Sequence, residues 1–258
     1  MSDLIYTNGN GLRMFLNTAG SKALYMKCID PYNPLDLPDY TIRIKMKSSS
    51  SAPNVPGATV TAVQGQTDVY DVCTTGGSGP NWEDLLSGID IVEVLGANTA
   101  NVHYIAQIFR NCVHLTSVQL FDLSHFTDVG AMFYNCTALT TVPLFDTSNV
   151  TSMRMMFDSC TSLEIVPLFN TSNVTDMASM FSNCTSFKTI PLFNTAKVTD
   201  MSMMFNYCVN VESGALALYQ QASSQTNPPT YHRSTFYGCG YNTETGAAEL
   251  AQIPSDWK

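Results

Sequence analysis

A fixed 24-residue period constrains this chain more than any other feature. Three series mark it: Phe109, Phe133, Phe157, Phe181, Phe205; Cys112, Cys136, Cys160, Cys184, Cys208; and Phe121, Phe145, Phe169, Phe193. Every step in all three is 24 residues, and the repeat runs from Ala97 to Val209 without insertion. A unit this short cannot bury its apolar edge alone, so it must stack on copies of itself. The expected fold is therefore an α/β repeat solenoid, leucine-rich-repeat-like, of short parallel strands and short helical turns, with a small β-rich module at the N-terminus.

Inside the unit the apolar residues read Leu-x-x-Val-x-Leu: Leu115/Val118/Leu120, Leu139/Val142/Leu144, Leu163/Val166/Leu168 and Phe187/Ile190/Leu192. This predicts a strand with three inward side chains per coil. Pro143, Pro167 and Pro191 fall in that segment and cannot donate to a ladder, so the strand is short or the prolines mark its edge. In the other half, Val150, Met153, Met156, Phe157 and Val174, Met177, Met180, Phe181 have spacings that place them on one face of a short helix or helical turn. Asp128, Asp176 and Asp200 follow a threonine at its start, where they can cap exposed N–H groups. Met153, Met177 and Met201 read as core packing, since methionine fills irregular gaps.

Five of the 8 cysteines share one repeat position. Residues at one position of stacked coils lie ~4.8 Å apart. Five in a file cannot all pair, so Cys112, Cys136, Cys160, Cys184 and Cys208 read as a column of reduced core thiols. Cys28, Cys73 and Cys239 lie outside the column, and their pairing stays open. No CxxC or Cys/His cluster has metal-ligand spacing, so no metal and no cofactor are expected.

Three segments follow. Residues 1–78 form the N-terminal β-rich attachment or assembly module, with strand signals at Leu4-Ile5-Tyr6, Ala23 to Cys28, Thr41 to Lys47 and Ala58 to Cys73. Thr74 to Pro80 is a Gly-rich hinge. Residues 79–216 carry the repeats, opened by a divergent coil at Asn81-Trp82-Glu83-Asp84-Leu85-Leu86. Residues 217–258 are the C-terminal cap; helices are expected at Ser213 to Ala222 and at Gly246 to Gln252, and Phe236-Tyr237-Gly238-Cys239 echoes the repeat once more.

The charge balance is 12 Lys+Arg against 21 Asp+Glu, net −9. So little base cannot grip phosphates, which argues against a nucleic-acid partner. No apolar run approaches the ~20 residues of a membrane span, so no membrane insertion is expected. The N-terminus shows no secretory signal or lipid-attachment cysteine. His103, His114 and His125 are 11 apart, out of step with the repeat, and His232 stands apart. No Gly-x-Ser-x-Gly elbow occurs, and no catalytic set is suggested. Asn-x-Ser/Thr triplets such as Asn135-Cys136-Thr137 recur because the repeat does.

A recognition surface is the expected functional element. The positions between the inward residues are Thr116, Ser117 and Gln119; Thr140, Thr141 and Pro143; Glu164, Ile165 and Pro167; Lys188, Thr189 and Pro191. They form a weakly charged, hydroxyl-rich concave face suited to an extended partner such as a protein surface or a glycan.

The unit Phe-Asn-Thr-Ser-Asn-Val-Thr-Asp-Met-x-x-Met-Phe-x-x-Cys-Thr-Ser-Phe, seen at Phe169 to Phe187, closely resembles the BspA-type leucine-rich repeat family. That family comprises bacterial surface proteins, including lipoproteins and adhesins, and its repeat also occurs in proteins of gut bacteriophages. The resemblance implies a right-handed solenoid used for adhesion or display, without enzymatic activity. A chain lacking a leader, with a module ahead of the repeats, looks more like a phage virion surface protein, a fibre or decoration protein. Residues 1–78 would then bind other virion proteins, or copies of the chain in a homo-oligomer, and the repeats would bind the host. The alternative is a BspA-type adhesin on the bacterial cell surface.

Overall fold

The computed structural model describes residues 37, 40–48, 51–74, 85–100 and 102–258 in full, and residues 4–7, 12–16 and 24–28 as backbone strands. The expected hinge beyond Thr74, and Asn81 to Asp84 of the opening coil, lie outside the described residues.

Strands β1 (Leu4–Thr7), β2 (Leu12–Leu16) and β3 (Leu24–Cys28) pair antiparallel in that order. β2 had no counterpart among the expected strands. A second sheet contains β4 (Thr41–Met46), β5 (Ala58–Ala62), β6 (Val69–Thr74), β7 (Ile91–Asn98) and β8 (Ser117–Val118), in the order β5-β6-β4-β7-β8. In β4 the strict alternation of Ile42, Ile44 and Met46 with Arg43 and Lys45 buries one face and turns the charges out. The outer charges join neighbouring strands: Arg43 makes a bidentate pair with Asp71 on β6 (2.6 and 2.7 Å), and Lys45 reaches Glu93 on β7 at 2.8 Å. β7 belongs to the first coil. β4 pairs with it antiparallel, Ile44 opposite Val94, and β8 of the next coil pairs parallel on its other side. The expected boundary at residue 78 thus falls between two strands of one sheet.

From residue 102 onward, each 24-residue unit lies on the one before it. The linkage runs along the methionine-rich half. Phe109, Phe133, Phe157 and Phe181 donate their N–H groups to the carbonyls of Met132, Met156, Met180 and Met204 one coil on. Intervening N–H groups bond three residues back within the coil, as Cys136 does to Phe133. This alternation needs left-handed backbone at two positions per coil, held in successive coils by Gln107/Asn111, Ala131/Asn135, Met155/Ser159, Ser179/Asn183 and Met203/Tyr207. The expected helical turn therefore does not form here. Half of its N–H groups point along the stack and are satisfied by the next coil, so a run of tight turns replaces the helix. The aspartates cap N–H groups two residues on, not a helix: Oδ1 of Asp128, Asp176 and Asp200 accepts from Gly130, Ala178 and Ser202 at 2.7–2.9 Å.

The interior is built of files. Phe109, Phe133, Phe157, Phe181, Phe205 and Phe236 stack with ring centroids 5.4–5.9 Å apart and planes within 14° of parallel. Each such pair adds about 0.5–1.5 kcal/mol beyond the area it buries. Met153, Met177 and Met201 are fully buried alongside. Cys112, Cys136, Cys160, Cys184 and Cys208 form the neighbouring file, each Sγ donating to a carbonyl of the preceding coil (Leu86, Phe109, Phe133, Phe157 and Phe181) at 2.9–3.1 Å. Burial pushes the Cys112 thiol up to about 12 and the Cys136, Cys184 and Cys208 thiols well above their ordinary value. They are S–H donors, not thiolates. Cys239 is a free thiol as well.

After Cys208 the chain makes α1 (Ala215–Ser223), α2 (Glu244–Gln252) and a 3₁₀ turn at Ser255–Trp257. Trp257 closes the phenylalanine file, lying 6.3 Å from Phe236, and stacks on His232 at 4.3 Å.

Candidate binding face

Along the half of the coil that was expected to be a strand, burial recurs every third residue: Cys136, Leu139, Val142, Phe145; Cys160, Leu163, Val166, Phe169; Cys184, Phe187, Ile190, Phe193. A pleated strand would give a period of two. Three residues per turn is the repeat of an extended polyproline-type chain, which leaves two of every three side chains outside. The inward set is thus Leu-x-x-Val-x-x-Phe, and the third expected inward position is corrected: Leu144, Leu168 and Leu192 are 59%, 60% and 54% exposed.

The same inward set, Leu115, Val118 and Phe121, is buried in the coil without proline; what proline changes is the backbone ladder. In the coil that carries Gln119, the Gln119 N–H donates to Val94 O and the two-residue strand β8 forms. One, two and three coils on, the same position is Pro143, Pro167 and Pro191, which have no N–H to offer. There the chain tightens instead: Phe145 donates to Pro143 O at 3.0 Å and Phe193 to Pro191 O at 2.9 Å. These two-residue closures are inverse γ-turns centred on Leu144 and Leu192. They throw the leucine outward while Phe145 and Phe193 take the inside.

The expected face residues lie on this surface in files. Thr116, Thr140, Glu164 and Lys188 are exposed, and the last three are joined by backbone bonds: Glu164 N to Thr140 O at 3.4 Å and Lys188 N to Glu164 O at 3.1 Å, with Glu212 N continuing the file to Lys188 O at 2.8 Å. Thr116 also spends its hydroxyl on Val92 O at 2.8 Å. Lys188 Nζ lies 3.5 Å from Glu212. In the adjoining file Ser117 is half-buried, Thr141 and Thr189 are exposed, and Ile165 is 58% exposed. Gln119 is exposed, and Pro143, Pro167 and Pro191 are half-buried. Beside them runs the file that the sequence reading placed inside: Leu120, Leu144, Leu168 and Leu192. Leu120, Leu144 and Leu168 line a groove of about 330 Å³ with Phe145, Asp146, Thr147 and Asn170. The residues that most characterise this surface are thus apolar. The sequence signal was present in the buried phenylalanine three residues after each valine.

The other titratable groups do not converge. His114 lies 3.6 Å from Asp90, His125 lies 3.8 Å from Asp122, and His232 is stacked on Trp257. Among the described residues, no group of three or more His, Cys, Asp or Glu side chains could hold a metal ion, and no helix is long and apolar enough to cross a membrane.

No curated protein matches the chain. Residues 103–220, under half of the chain, are similar to the family described as Mycoplasma protein of unknown function, DUF285.

Proposed function

We propose that this protein is a non-enzymatic recognition protein: a leucine-rich-repeat-type solenoid whose strand-side face binds a partner on a cell surface. One observation carries the reading, the file of Leu144, Leu168 and Leu192 held outward at 54–60% exposure beside Ile165. Isolated exposed leucines are ordinary, but a contiguous apolar file rimmed by hydroxyls is the composition of a recognition site. Its spacing is set by the coils, so it presents a rigid ruler of side chains to an extended partner.

In this reading the protein is displayed on a virion surface as a fibre or decoration protein, one of the settings in which repeats of the type it resembles occur. Display on a bacterial cell surface is the other outcome of the same microscopy. Immunogold labelling of virion preparations and of cells carrying the gene separates the two. The binding face is tested with fluorescently labelled protein on bacterial cells. Replacing Leu144, Leu168 and Leu192 together by serine removes the apolar file without touching the core. The expected result is a loss of cell binding of at least about tenfold with unchanged thermal unfolding. Undiminished binding by the folded triple variant would remove the face from the account.

A further inference from the structure

The coil that carries Cys208 departs from those before it at one left-handed position. The second left-handed position of each coil holds Asn111, Asn135, Ser159 and Asn183, and then Tyr207 at φ 56°. Asparagine tolerates that backbone, whereas a bulky aromatic there is an outlier that costs stability and is kept where it serves a site. The Tyr207 ring is accommodated by Gly238, where a Cβ would meet Tyr207 Cδ1 at 3.3 Å. Tyr237 stands edge-on to it, with centroids 5.3 Å apart and planes at 85°. The neighbouring Tyr237 phenol raises the Tyr207 pKa. Tyr241 is 74% exposed beside them. These three rings, with Val209, Gly238, Leu250 and Lys258, line a cavity of about 400 Å³.

We infer that this cavity is a saccharide-binding site, separate from the leucine face and independent of its role. Its size lies within the ~300–1,000 Å³ of small-molecule sites, and its lining is the usual one, aromatic walls with few polar groups. Tyr207 and Tyr237 meet edge to face and so form one continuous wall, beside a space of about 400 Å³ that accommodates a pyranose. A groove for an extended proline-rich peptide would need parallel ridges running on past it. The C–H face of a sugar ring packs on the electron-rich face of a tyrosine, while the phenol hydroxyls and the Lys258 ammonium supply hydrogen bonds at the rim. Lys258 spends one donor on Leu250 O at 3.1 Å and has two left for a sugar hydroxyl or carboxylate.

The test uses the whole protein on an array of neutral and acidic oligosaccharides and a polyproline peptide, followed by calorimetric titration of the best ligand. Two variants keep it decisive. Tyr241→Ala removes an exposed ring, and Tyr207→Asn restores the residue that other coils carry at that backbone. Both are expected to fold, the second with equal or higher thermal stability, and each to weaken saccharide binding by about tenfold or more. The Leu144, Leu168 and Leu192 triple serine variant is expected to bind the saccharide normally. No saccharide bound, preference for the polyproline peptide, concentration-dependent dimerisation lost in Tyr241→Ala, or saccharide binding that survives both tyrosine variants would each overturn the assignment. A Tyr207→Asn protein that loses stability would overturn it too, because Tyr207 would then be a cap residue.

Discussion

At the scale of single residues, the repeat positions are occupied by side chains that finish backbone hydrogen bonding between coils. The cysteine file is the clearest case. Each Sγ reaches a phenylalanine or leucine carbonyl of the preceding coil at 2.9–3.1 Å, a distance that suits a small, apolar, weak donor. Threonines do the same at the corners, as when the Thr147 and Thr171 hydroxyls donate to Asn170 O and Asn194 O at 2.9 Å. Asp158 is less well matched. Burial raises its carboxyl pKa, opposed only in part by hydrogen bonds from Ser159 Oγ (2.9 Å) and Asn183 Nδ2 (3.5 Å). The folded carboxyl therefore holds its proton more tightly than the unfolded one, which titrates near about 3.9. Its contribution is most favourable below that value and is lost as pH rises through the raised folded pKa. Asparagine, found at the same repeat position as Asn206, removes the penalty. Asp158→Asn is expected to raise the midpoint of thermal unfolding at pH 7 by about 2–4 °C, with the gain vanishing below about pH 4. Scanning calorimetry at the two pH values checks this, and an equal gain at both would contradict it.

At the scale of elements, the legible and illegible parts of the chain divide along one physical line. Signals carried by side-chain burial within a segment could be read. The alternation in Thr41–Met46 gave β4, and the C-terminal helices form at Ala215–Ser223 and Glu244–Gln252, close to where their composition placed them. What could not be read was where backbone N–H groups go. Spacings of three and one residues at Met153, Met156 and Phe157 fit a helical turn and also a run of left-handed turns bonded to the next coil. Only the positions of the neighbouring carbonyls decide between them. The leucine face was missed for a related reason. Leu-x-x-Val-x-Leu and Leu-x-x-Val-x-x-Phe overlap in one sequence, and only the packed coil selects the second, with Gln119 as with proline. The tyrosine cavity was hidden because Tyr207 and Tyr237 come together across the irregular 31-residue step after Cys208. Pro143→Gln tests the proline argument by copying the Gln119 coil. It is expected to give residue 143 a slowly exchanging amide bonded to the preceding coil. Hydrogen exchange followed by NMR measures it, and a fast-exchanging amide would show that proline is not what breaks the ladder.

At the scale of the whole molecule, the stack has two ends and each is closed differently. At the start, β4 pairs antiparallel with β7 and shields an edge that would otherwise invite another chain. At the finish, Trp257 lies over Phe236 and Tyr219 packs edge-on to Trp257 at 5.4 Å. Between those ends each coil touches only its neighbours, so coils should be countable units of stability. This is the account's central claim, and removing one whole unit tests it most directly. Deleting Phe145 to Leu168, one 24-residue period, rejoins the chain at the same point of the coil and keeps every file in register. Deleting half as much puts aromatic, thiol and leucine files out of step. Circular dichroism and thermal unfolding of the two proteins should show the one-period deletion folding cooperatively, at a somewhat lower midpoint, and the half-period deletion failing to fold. If the two deletions are equally damaging, the coils are not stacked interchangeable units, and the account of both the core and the face it presents is contradicted.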